Sequence, residues 1–282
     1  MASRKIVLHD WKPRLRMKPG KVSVFIGRRG AGKSHLMKQV CRAYRHYNTV
    51  VFSETEGGNS AWEAHVPPTY IYKLYKPERM QKLYERQCRE KRRAKRDPHY
   101  VPQSIVVILE DQMFATSLGR DQMLRQVLMN GRHYGITLLI TMQYTKGLPP
   151  DMREQVDYVF CLQQKNAVMR KRLYDDWFGV FPDFPTFEST FLQCTDNYGC
   201  LVMDQTARTA KIQDNVFYYR APAVIEPYKM GTPAYWMYHY LHYRGEADPD
   251  EDEDETEKLE EDIAGRRRRS RVKVVKKRGG GR

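Results

Sequence analysis

One eight-residue segment constrains the fold of this chain more than any other. Residues 27–34 read GRRGAGKS and match the pattern G-x-x-x-x-G-K-[ST] at every fixed position. The segment follows a short apolar run, Val22 to Ile26, and precedes a helix-compatible stretch that begins at Lys33. A glycine-rich loop between a strand and a helix can wrap phosphate groups with backbone N–H donors. The sequence therefore predicts a phosphate-binding β-loop-α unit.

Each residue type in this loop has a chemical task. The glycines let the backbone approach the phosphates, the Lys33 ammonium reaches the β- and γ-phosphates, and the Ser34 hydroxyl can ligate Mg²⁺. The predicted cofactors are therefore ATP and Mg²⁺. The candidate nucleotide-binding residues are Gly27, Arg28, Arg29, Gly30, Ala31, Gly32, Lys33 and Ser34.

Further apolar runs alternate with helical patterns along the chain. The runs TVVF at 49–52, IVVIL at 105–109, TLLIT at 137–141 and YVFCL at 158–162 are apolar at nearly every residue, as strands covered on both faces are. Helical spacing lies between them, so we expect an α/β fold with a central, mainly parallel sheet flanked by helices. FLQC, GCLVMD and VFYY, within 187–219, predict a C-terminal β-hairpin region, and residues 235–243 a final helix.

Acidic residues follow the third apolar run. Glu110 and Asp111 stand at the carboxyl end of the predicted strand, where a carboxylate can hold the Mg²⁺ shell and a second acid can polarise the attacking water. The usual order is Asp then Glu. Both acids therefore remain candidates for either role, with Ser34 and Glu110 as the predicted metal ligands. Gln143 ends the next strand and is a candidate γ-phosphate sensor.

Two arginines are candidates for an arginine finger, a cation that some P-loop ATPases insert into a neighbouring subunit's site to stabilise charge on the transferring phosphoryl group. Arg132 lies in the segment NGRH, and Arg153 lies in the loop before the fifth strand. We favour Arg132, because it follows a helix beyond the acidic pair and precedes the Gln143 strand.

The balance of charge points to a polyanionic partner. The 282-residue chain carries 49 Lys and Arg against 34 Asp and Glu, a formal net charge of +15. A predicted helix over 77–96 pairs an apolar face, which includes Met80, Leu83, Tyr84 and Gln87, with a dense basic face that lacks aromatic groups suited to reading bases. Non-specific, salt-sensitive binding of double-stranded DNA is the expectation. The candidate DNA-binding residues are Arg86, Arg89, Lys91, Arg92, Arg93, Lys95 and Arg96.

The composition changes abruptly near the C-terminus. Residues 246–262 hold twelve acids and one lysine, and residues 266–282 hold ten cations and no acid. Neither half can bury a core. We predict a lead-in over residues 1–20, a P-loop domain over 21–244 and a disordered acidic-then-basic tail over 245–282.

The sequence predicts no cysteine chemistry, no signal peptide and no membrane span. The five cysteines are scattered without paired spacing, so we expect a reducing compartment and assign them no chemistry. The N-terminus lacks a signal-peptide core, and no segment approaches the roughly 18 apolar residues of a membrane span. We therefore expect a soluble intracellular protein.

Taken together, these segments resemble the FtsK/HerA superfamily and, within it, the poxvirus-type genome-packaging ATPases of nucleocytoplasmic large DNA viruses, virophages and Polinton-like elements. The resemblance covers residues 20–222, and it is carried by GRRGAGKS, IVVILED, NGRHYGITLLITMQ, LPPDMREQVDYVF, YGCLVMD and VFYYRA. It implies a RecA/ASCE-like P-loop fold and a homo-oligomeric ring that uses ATP to move viral DNA into a preformed capsid. A capsid or vertex protein is the implied partner. The implied location is an infected cell, in a cytoplasmic virus factory or the nucleus, or the virion.

Two alternatives come from other classes of protein. A P-loop kinase would carry a lid and an acceptor pocket, and no lid-like arginine cluster follows the predicted sheet. A nucleotide-binding scaffold for nucleic acid would not retain both the phosphate loop and the acidic strand end. Stimulation of ATP hydrolysis by double-stranded DNA separates the motor from both alternatives.

Overall fold

Parallel strands form the centre of the computed structural model, which describes residues 6–54, 61–112, 120–144 and 147–243. The strands are β1 (His9–Asp10), β2 (Val22–Ile26), β3 (Asn48–Ser53), β4 (Ile71–Tyr72), β5 (Ile105–Glu110), β6 (Ile136–Met142), β7 (Tyr158–Cys161), β8 (Gly199–Asp204) and β9 (Val216–Arg220). Among the described residues they make one sheet in the order β1-β9-β8-β7-β2-β6-β5-β3-β4.

Helices connect these strands. They are α1 (Pro13–Arg16), α2 (Lys33–Cys41), α3 (Pro77–Arg96), α4 (Gln122–Asn130), α5 (Pro150–Arg153), α6 (Ala167–Trp177), α7 (Phe184–Cys194), α8 (Ile212–Asn215) and α9 (Pro233–His242). Short 3-10 turns occupy Arg42–Tyr44, Pro68–Tyr70 and Gly131–Tyr134. None of the helices in the described ranges has the length and apolar character needed to cross a membrane.

The central strands are buried on both faces, as their apolar runs predict. Every residue of β2, β5, β6 and β7 is buried. On β5, Ile105, Val107 and Leu109 pack into one apolar core, while Val106 and Ile108 pack into a second core on the opposite face. Side chains that alternate between two cores are what a sheet covered by helices on both faces requires. The predicted α/β fold with a mainly parallel sheet is confirmed.

Strand β6 lies between β2 and β5 and pairs in parallel with both. The glycine-rich loop follows β2 and the acidic pair ends β5. Since the carboxyl ends of parallel strands meet at one edge of a sheet, the residues after β2, β6 and β5 lie side by side. The order of the strands thus places Gln143 between the loop and the acids.

The antiparallel part of the sheet begins at β8, which pairs with β7 on one side and β9 on the other. This agrees with the predicted β region except for FLQC. Residues 191–194 belong to α7, so their assignment to β structure is corrected. The Asp183 side chain caps this helix by accepting from the Thr186 N–H, and Phe187 and Phe191, one turn apart, are both fully buried.

The predicted lead-in over residues 1–20 also needs correction, because part of it belongs to the domain. Strand β1 pairs in parallel with β9, and Trp11 is 2% exposed against the rings of Tyr158 and Phe217. Arg16 forms a 2.7 Å ion pair with the buried Asp204. Large aromatic area explains why a segment that reads as polar still packs into the core.

Two compact units divide the chain, residues 1–242 and residues 243–282. The predicted tail over 245–282 lies outside the described residues. All five cysteines are free, and burial raises the pKa of the Cys41, Cys161 and Cys200 thiols. A thiol with a raised pKa is a poor nucleophile at neutral pH, which agrees with assigning these residues no chemistry.

Candidate nucleotide site

The loop between β2 and α2 has the backbone shape of a phosphate cradle. Gly30 and Gly32 take φ angles of 74° and 93°, in the left-handed region that other residues rarely adopt. Gly32 is also the N-cap of α2, so the first helical N–H groups point into the loop. The loop can therefore present several N–H donors and the positive end of a helix to an anion.

Neighbouring strands hold this loop in place. The Gly27 N–H donates to the Met142 carbonyl at the end of β6 (3.2 Å), and the Leu162 N–H donates to the Ile26 carbonyl (2.8 Å). A Cβ at Gly27 would lie 3.0 Å from the Cβ of Leu162, tighter than ordinary packing allows. The first glycine of the motif is thus required by close packing, whereas Gly30 and Gly32 are required by conformation.

Lys33 is the buried cation of the site. Its side chain is 7% exposed, and its Nζ donates to the carbonyl oxygens of Gly27 (3.0 Å) and Arg28 (3.2 Å). Burial lowers the pKa of Lys33 below its ordinary 10.5, and the negative charges of Asp111 and Glu110 oppose that shift. The ammonium group is thus held at the loop within the field of both acids.

Glu110 is fixed from the side of β3. Its carboxylate is 2% exposed, and Oε2 accepts from the indole N–H of Trp62 and, over a long 3.5 Å contact, from the Ser53 hydroxyl. A buried carboxylate needs such donors because an unpaired charge in the interior is costly. One oxygen of Glu110 is therefore anchored by its neighbours.

Asp111 begins the turn after β5. Its φ angle is 53°, a left-handed conformation, and its N–H donates to Thr141 Oγ1 at 2.9 Å. The next residue, Gln112, is buried and bonds to the Tyr75 N–H and the Lys73 carbonyl. These bonds fix the turn that carries Asp111, whose side chain is half-buried.

Ser34 and Gln143 complete the set of predicted site residues at this edge of the sheet. Ser34 lies in the first turn of α2, and Gln143 directly follows β6, whose last residue, Met142, pairs with Ile26. Both residues are half-buried. Arg28 and Arg29 are exposed at the rim of the loop. The predicted nucleotide residues therefore gather around one edge.

Comparison with known proteins identifies the family. The family model "Poxvirus A32 protein" matches residues 11–173, more than half of the chain. This chain belongs to that family. Protein L437 of Acanthamoeba polyphaga mimivirus is 32% identical over 203 residues, which are 70% of this chain and 72% of that protein. Protein 015R of Frog virus 3 is 32% identical over 222 residues, which are 76% of this chain and 66% of that protein.

Solved structures support the same fold. The genome packaging NTPase B204 from Sulfolobus turreted icosahedral virus 2, in complex with AMP, aligns with a TM-score of 0.52 and 16% identity, over 74% of this chain and all of that chain. B204 from Sulfolobus turreted icosahedral virus, described as a DNA-packaging ATPase, aligns with a TM-score of 0.50 and 17% identity. At this identity the likeness shows the fold.

The two candidate finger arginines of this A32-family chain differ in their surroundings. Arg153 forms an ion pair with Asp176, and its side chain is 19% exposed. Arg132 is exposed, and its backbone lies against Gly20, where an added Cβ would be 3.1 Å from the Arg132 Cα. Gly20 precedes β2, whereas the phosphate loop follows it. Arg132 is therefore at the opposite end of the strand from its own nucleotide loop.

The predicted basic face lies along α3. Gln87 anchors this helix by donating to the carbonyls of Gln103 (2.8 Å) and Tyr134 (3.0 Å), and Met80 and Tyr84 are buried with it. The predicted apolar face is thus confirmed. All seven predicted cations are exposed: Arg86, Arg89, Lys91, Arg92, Arg93, Lys95 and Arg96.

Some residues of the site were not predicted. Trp62 and Ser53 contact Glu110, and Thr141 holds Asp111. Ser53 and Thr141 share one sequence signal, since each is a polar residue at the carboxyl end of an apolar strand run. Trp62 carries no such signal, because it approaches Glu110 from a turn 48 residues earlier in the chain.

Proposed function

We propose that this chain is an ATP-hydrolysing motor that translocates double-stranded viral DNA into a preformed capsid. The observation that carries the proposal is the nucleotide site itself, in which the buried Lys33 lies at a glycine-rich loop and within the field of Asp111 and Glu110. Membership of the poxvirus A32 family supports the same function. Two solved relatives of the fold are described as packaging enzymes.

The chain's own groups supply the chemistry of hydrolysis. Backbone N–H groups of the loop and the Lys33 ammonium bind the phosphates, and Asp111 orients and polarises the attacking water. Gln143, between loop and acids, senses the γ-phosphate. Because the loop and Lys33 are already held by hydrogen bonds, they stabilise the developing charge with little reorganisation.

The donor set also fits Mg²⁺. Ser34 offers a hydroxyl at the loop, and Glu110 offers a carboxylate oxygen across from it. Mg²⁺ in nucleotide sites takes few protein oxygens and completes its shell with phosphates and water. When bound, the ion neutralises charge on the β- and γ-phosphates. We assign Glu110 to the metal, because its anchored carboxylate suits a fixed ligand, and Asp111 to the water.

The basic face of α3 is the proposed DNA contact. Arg89, Arg92 and Arg96 recur at one helical face, and cations without base-reading partners bind the phosphate backbone regardless of sequence. We expect alanine at all three positions to weaken DNA binding and abolish DNA-stimulated hydrolysis while basal hydrolysis persists. The matched control replaces three exposed cations on other elements, Lys165, Arg208 and Lys211.

The position of Arg132 supports the proposal of a homo-oligomeric ring. We propose that Arg132 enters the neighbour's nucleotide site, and that Arg153 remains in its ion pair with Asp176. Arg132→Ala and Lys33→Ala proteins are each expected to be nearly inactive, and mixing them should restore partial activity by pairing an intact finger with an intact loop. With subunit exchange verified, a mixture that stays inactive at every ratio means that Arg132 acts within its own chain or that the ring needs every site intact. Complementation of Lys33→Ala by Arg153→Ala, with none by Arg132→Ala, would transfer the role to Arg153.

The decisive test of the function is hydrolysis measured with and without double-stranded DNA. Stimulation by DNA of any sequence is expected for the motor. Turnover that ignores DNA but needs a small phosphate acceptor would identify a kinase, and nucleotide binding without turnover would identify a scaffold. We place the activity inside infected cells, and a capsid or vertex protein is the partner that the packaging reaction requires.

A further inference from the structure

A cleft opens beside the phosphate loop on the side away from the acids. Its volume is about 380 Å³, within the range of small-ligand pockets. It is lined by Gly32, His35, Leu36, Asn197, Tyr198, Arg220, Ala221 and Ala223. His35 is the residue after Ser34, so the cleft begins where the phosphate-binding part of the loop ends. Gly32 is the only candidate nucleotide residue among those that line the cleft.

Tyr198 forms the outer wall of this cleft. It is a large aromatic residue left 69% exposed, and its ring contacts the loop closely enough that a Cβ at Gly32 would lie 3.3 Å from its Cδ1. An exposed tyrosine against a phosphate loop presents a free aromatic face next to the bound polyphosphate. Packing of the core does not explain it, because the ring contributes little to either apolar cluster.

The turn that carries Tyr198 is strained and rigid. Asn197 and Tyr198 have φ angles of 46° and 59°, both in the left-handed region, which asparagine tolerates and tyrosine rarely adopts. Gly199 closes the turn, since a Cβ there would overlap the Cys194 carbonyl oxygen at 2.2 Å. Arg220 donates to the Asp196 carbonyl from β9 (3.2 Å). Such a backbone conformation persists only where the surrounding structure fixes it, and here the Arg220 hydrogen bond and the close packing at Gly199 do so.

We propose that this cleft binds the base and ribose of the nucleotide, with the base stacked on the ring of Tyr198. The inference rests on the proposed nucleotide site and adds its base subsite. A purine bound here would lie along the Tyr198 face, with the ribose toward Gly32, where the phosphate-binding loop ends. Every base has a π-face, so stacking adds affinity while selecting weakly among bases.

The test compares ATP with inorganic tripolyphosphate, which offers the phosphates without a base. Both are titrated against the full chain by calorimetry in the presence of Mg²⁺. The variant is Tyr198→Asn, because asparagine tolerates a left-handed backbone and removes the ring. The matched control is Tyr240→Ala, which removes a tyrosine of similar exposure (63%) from α9.

The expected result is that Tyr198→Asn binds ATP about tenfold more weakly, within the range measured for loss of a base–aromatic stack, and binds tripolyphosphate as the wild type does. Tyr198→Phe should restore ATP affinity, and Tyr240→Ala should change neither ligand. Photolabelling of the wild type with 8-azido-ATP should modify the peptide that contains residues 196–199. This second measurement holds even if the variant folds poorly.

Three results would overturn the base subsite. They are unchanged ATP affinity in Tyr198→Asn, an equal loss for ATP and tripolyphosphate in that variant while it remains folded, and a photolabel that lies on another part of the chain. A wild-type protein that binds neither ligand would instead refute the nucleotide site on which this inference rests. The two failures are therefore distinguishable.

Discussion

Replacing Trp62 with phenylalanine tests whether the buried indole positions Glu110, the carboxylate that we propose binds Mg²⁺. Trp62 is fully buried, and its N–H is the short donor to Glu110, while the Ser53 contact is long at 3.5 Å. A hydrogen bond to a charged group contributes about 1.5–3 kcal/mol to the free energy of unfolding. The smaller ring adds a packing loss, so we expect Trp62→Phe to lower stability by about 2–4 kcal/mol.

Thermal unfolding and a double-mutant cycle separate these two contributions. At roughly 2–4 °C per kcal/mol for a domain of this size, Tm should fall by about 4–16 °C. In a cycle with Glu110→Gln, the coupling energy should be about 1 kcal/mol, the excess of a charged over a neutral hydrogen bond. Trp236→Phe is the control, because its N–H donates to the neutral Met230 carbonyl (2.8 Å).

The functional consequence is measured by the Mg²⁺ dependence of hydrolysis. Partners that orient a metal ligand commonly change metal affinity by tenfold or more when they are removed. We expect the half-saturating Mg²⁺ concentration to rise at least about tenfold in Trp62→Phe and to stay constant in Trp236→Phe. A folded Trp62→Phe protein with wild-type Mg²⁺ dependence and no coupling to Glu110 would refute the reasoning.

Three further predictions concern the phosphate loop and DNA. Lys33→Ala should lower hydrolysis by at least about a hundredfold in a steady-state assay with the fold intact by circular dichroism, whereas exposed Lys171→Ala should not. Burial lowers the pKa of Lys33, and bound phosphates favour its charged form, so ATP binding should take up protons. Binding should also weaken as pH rises through the lowered Lys33 pKa toward 10.5. Calorimetry in two buffers measures the proton uptake, and ATP affinity that does not depend on pH would contradict the prediction. DNA affinity should fall roughly a thousandfold between 50 and 200 mM salt if about six phosphates are neutralised, and a flat salt dependence by filter binding would argue against α3 as the contact.

Sequence patterns within single segments predicted the elements whose structure depends on that segment alone. Apolar runs of four or five residues gave the central strands, and the GRRGAGKS segment gave the loop and the start of α2. The errors arose where tertiary packing decides the structure. FLQC has the composition of a strand, yet the Asp183 cap and the spacing of Phe187 and Phe191 make it helical. Residues 9–17 are mostly polar in sequence, yet they belong to the domain because Trp11 packs against the rings of Tyr158 and Phe217.

The site divides in the same way. Lys33, Ser34 and Glu110 stand at fixed distances from recognisable strand ends, so sequence alone can nominate them. The sequence alone does not predict Trp62 as a site residue, because its contact with Glu110 depends on the tertiary position of the turn that carries it. Tyr198 carries no such sequence signal either, because its closeness to Gly32 follows from the antiparallel pairing of β8 with β7, which returns the chain to the loop.

The length of β2 bears on whether Arg132 can act in the nucleotide site of its own chain. The strand has five residues, so its two ends are roughly 16 Å apart at 3.3 Å per residue. The phosphate loop leaves one end, and Arg132 lies beside Gly20 at the other. This separation is longer than an arginine side chain, so Arg132 cannot reach the nucleotide site of its own chain while β2 remains paired in the sheet. If Arg132 stabilises charge on the transferring phosphate, it must do so for another subunit. Specific activity should then rise with protein concentration through the range in which the proposed oligomer forms. Activity per chain that stays constant while the protein is a monomer would exclude a finger acting in trans.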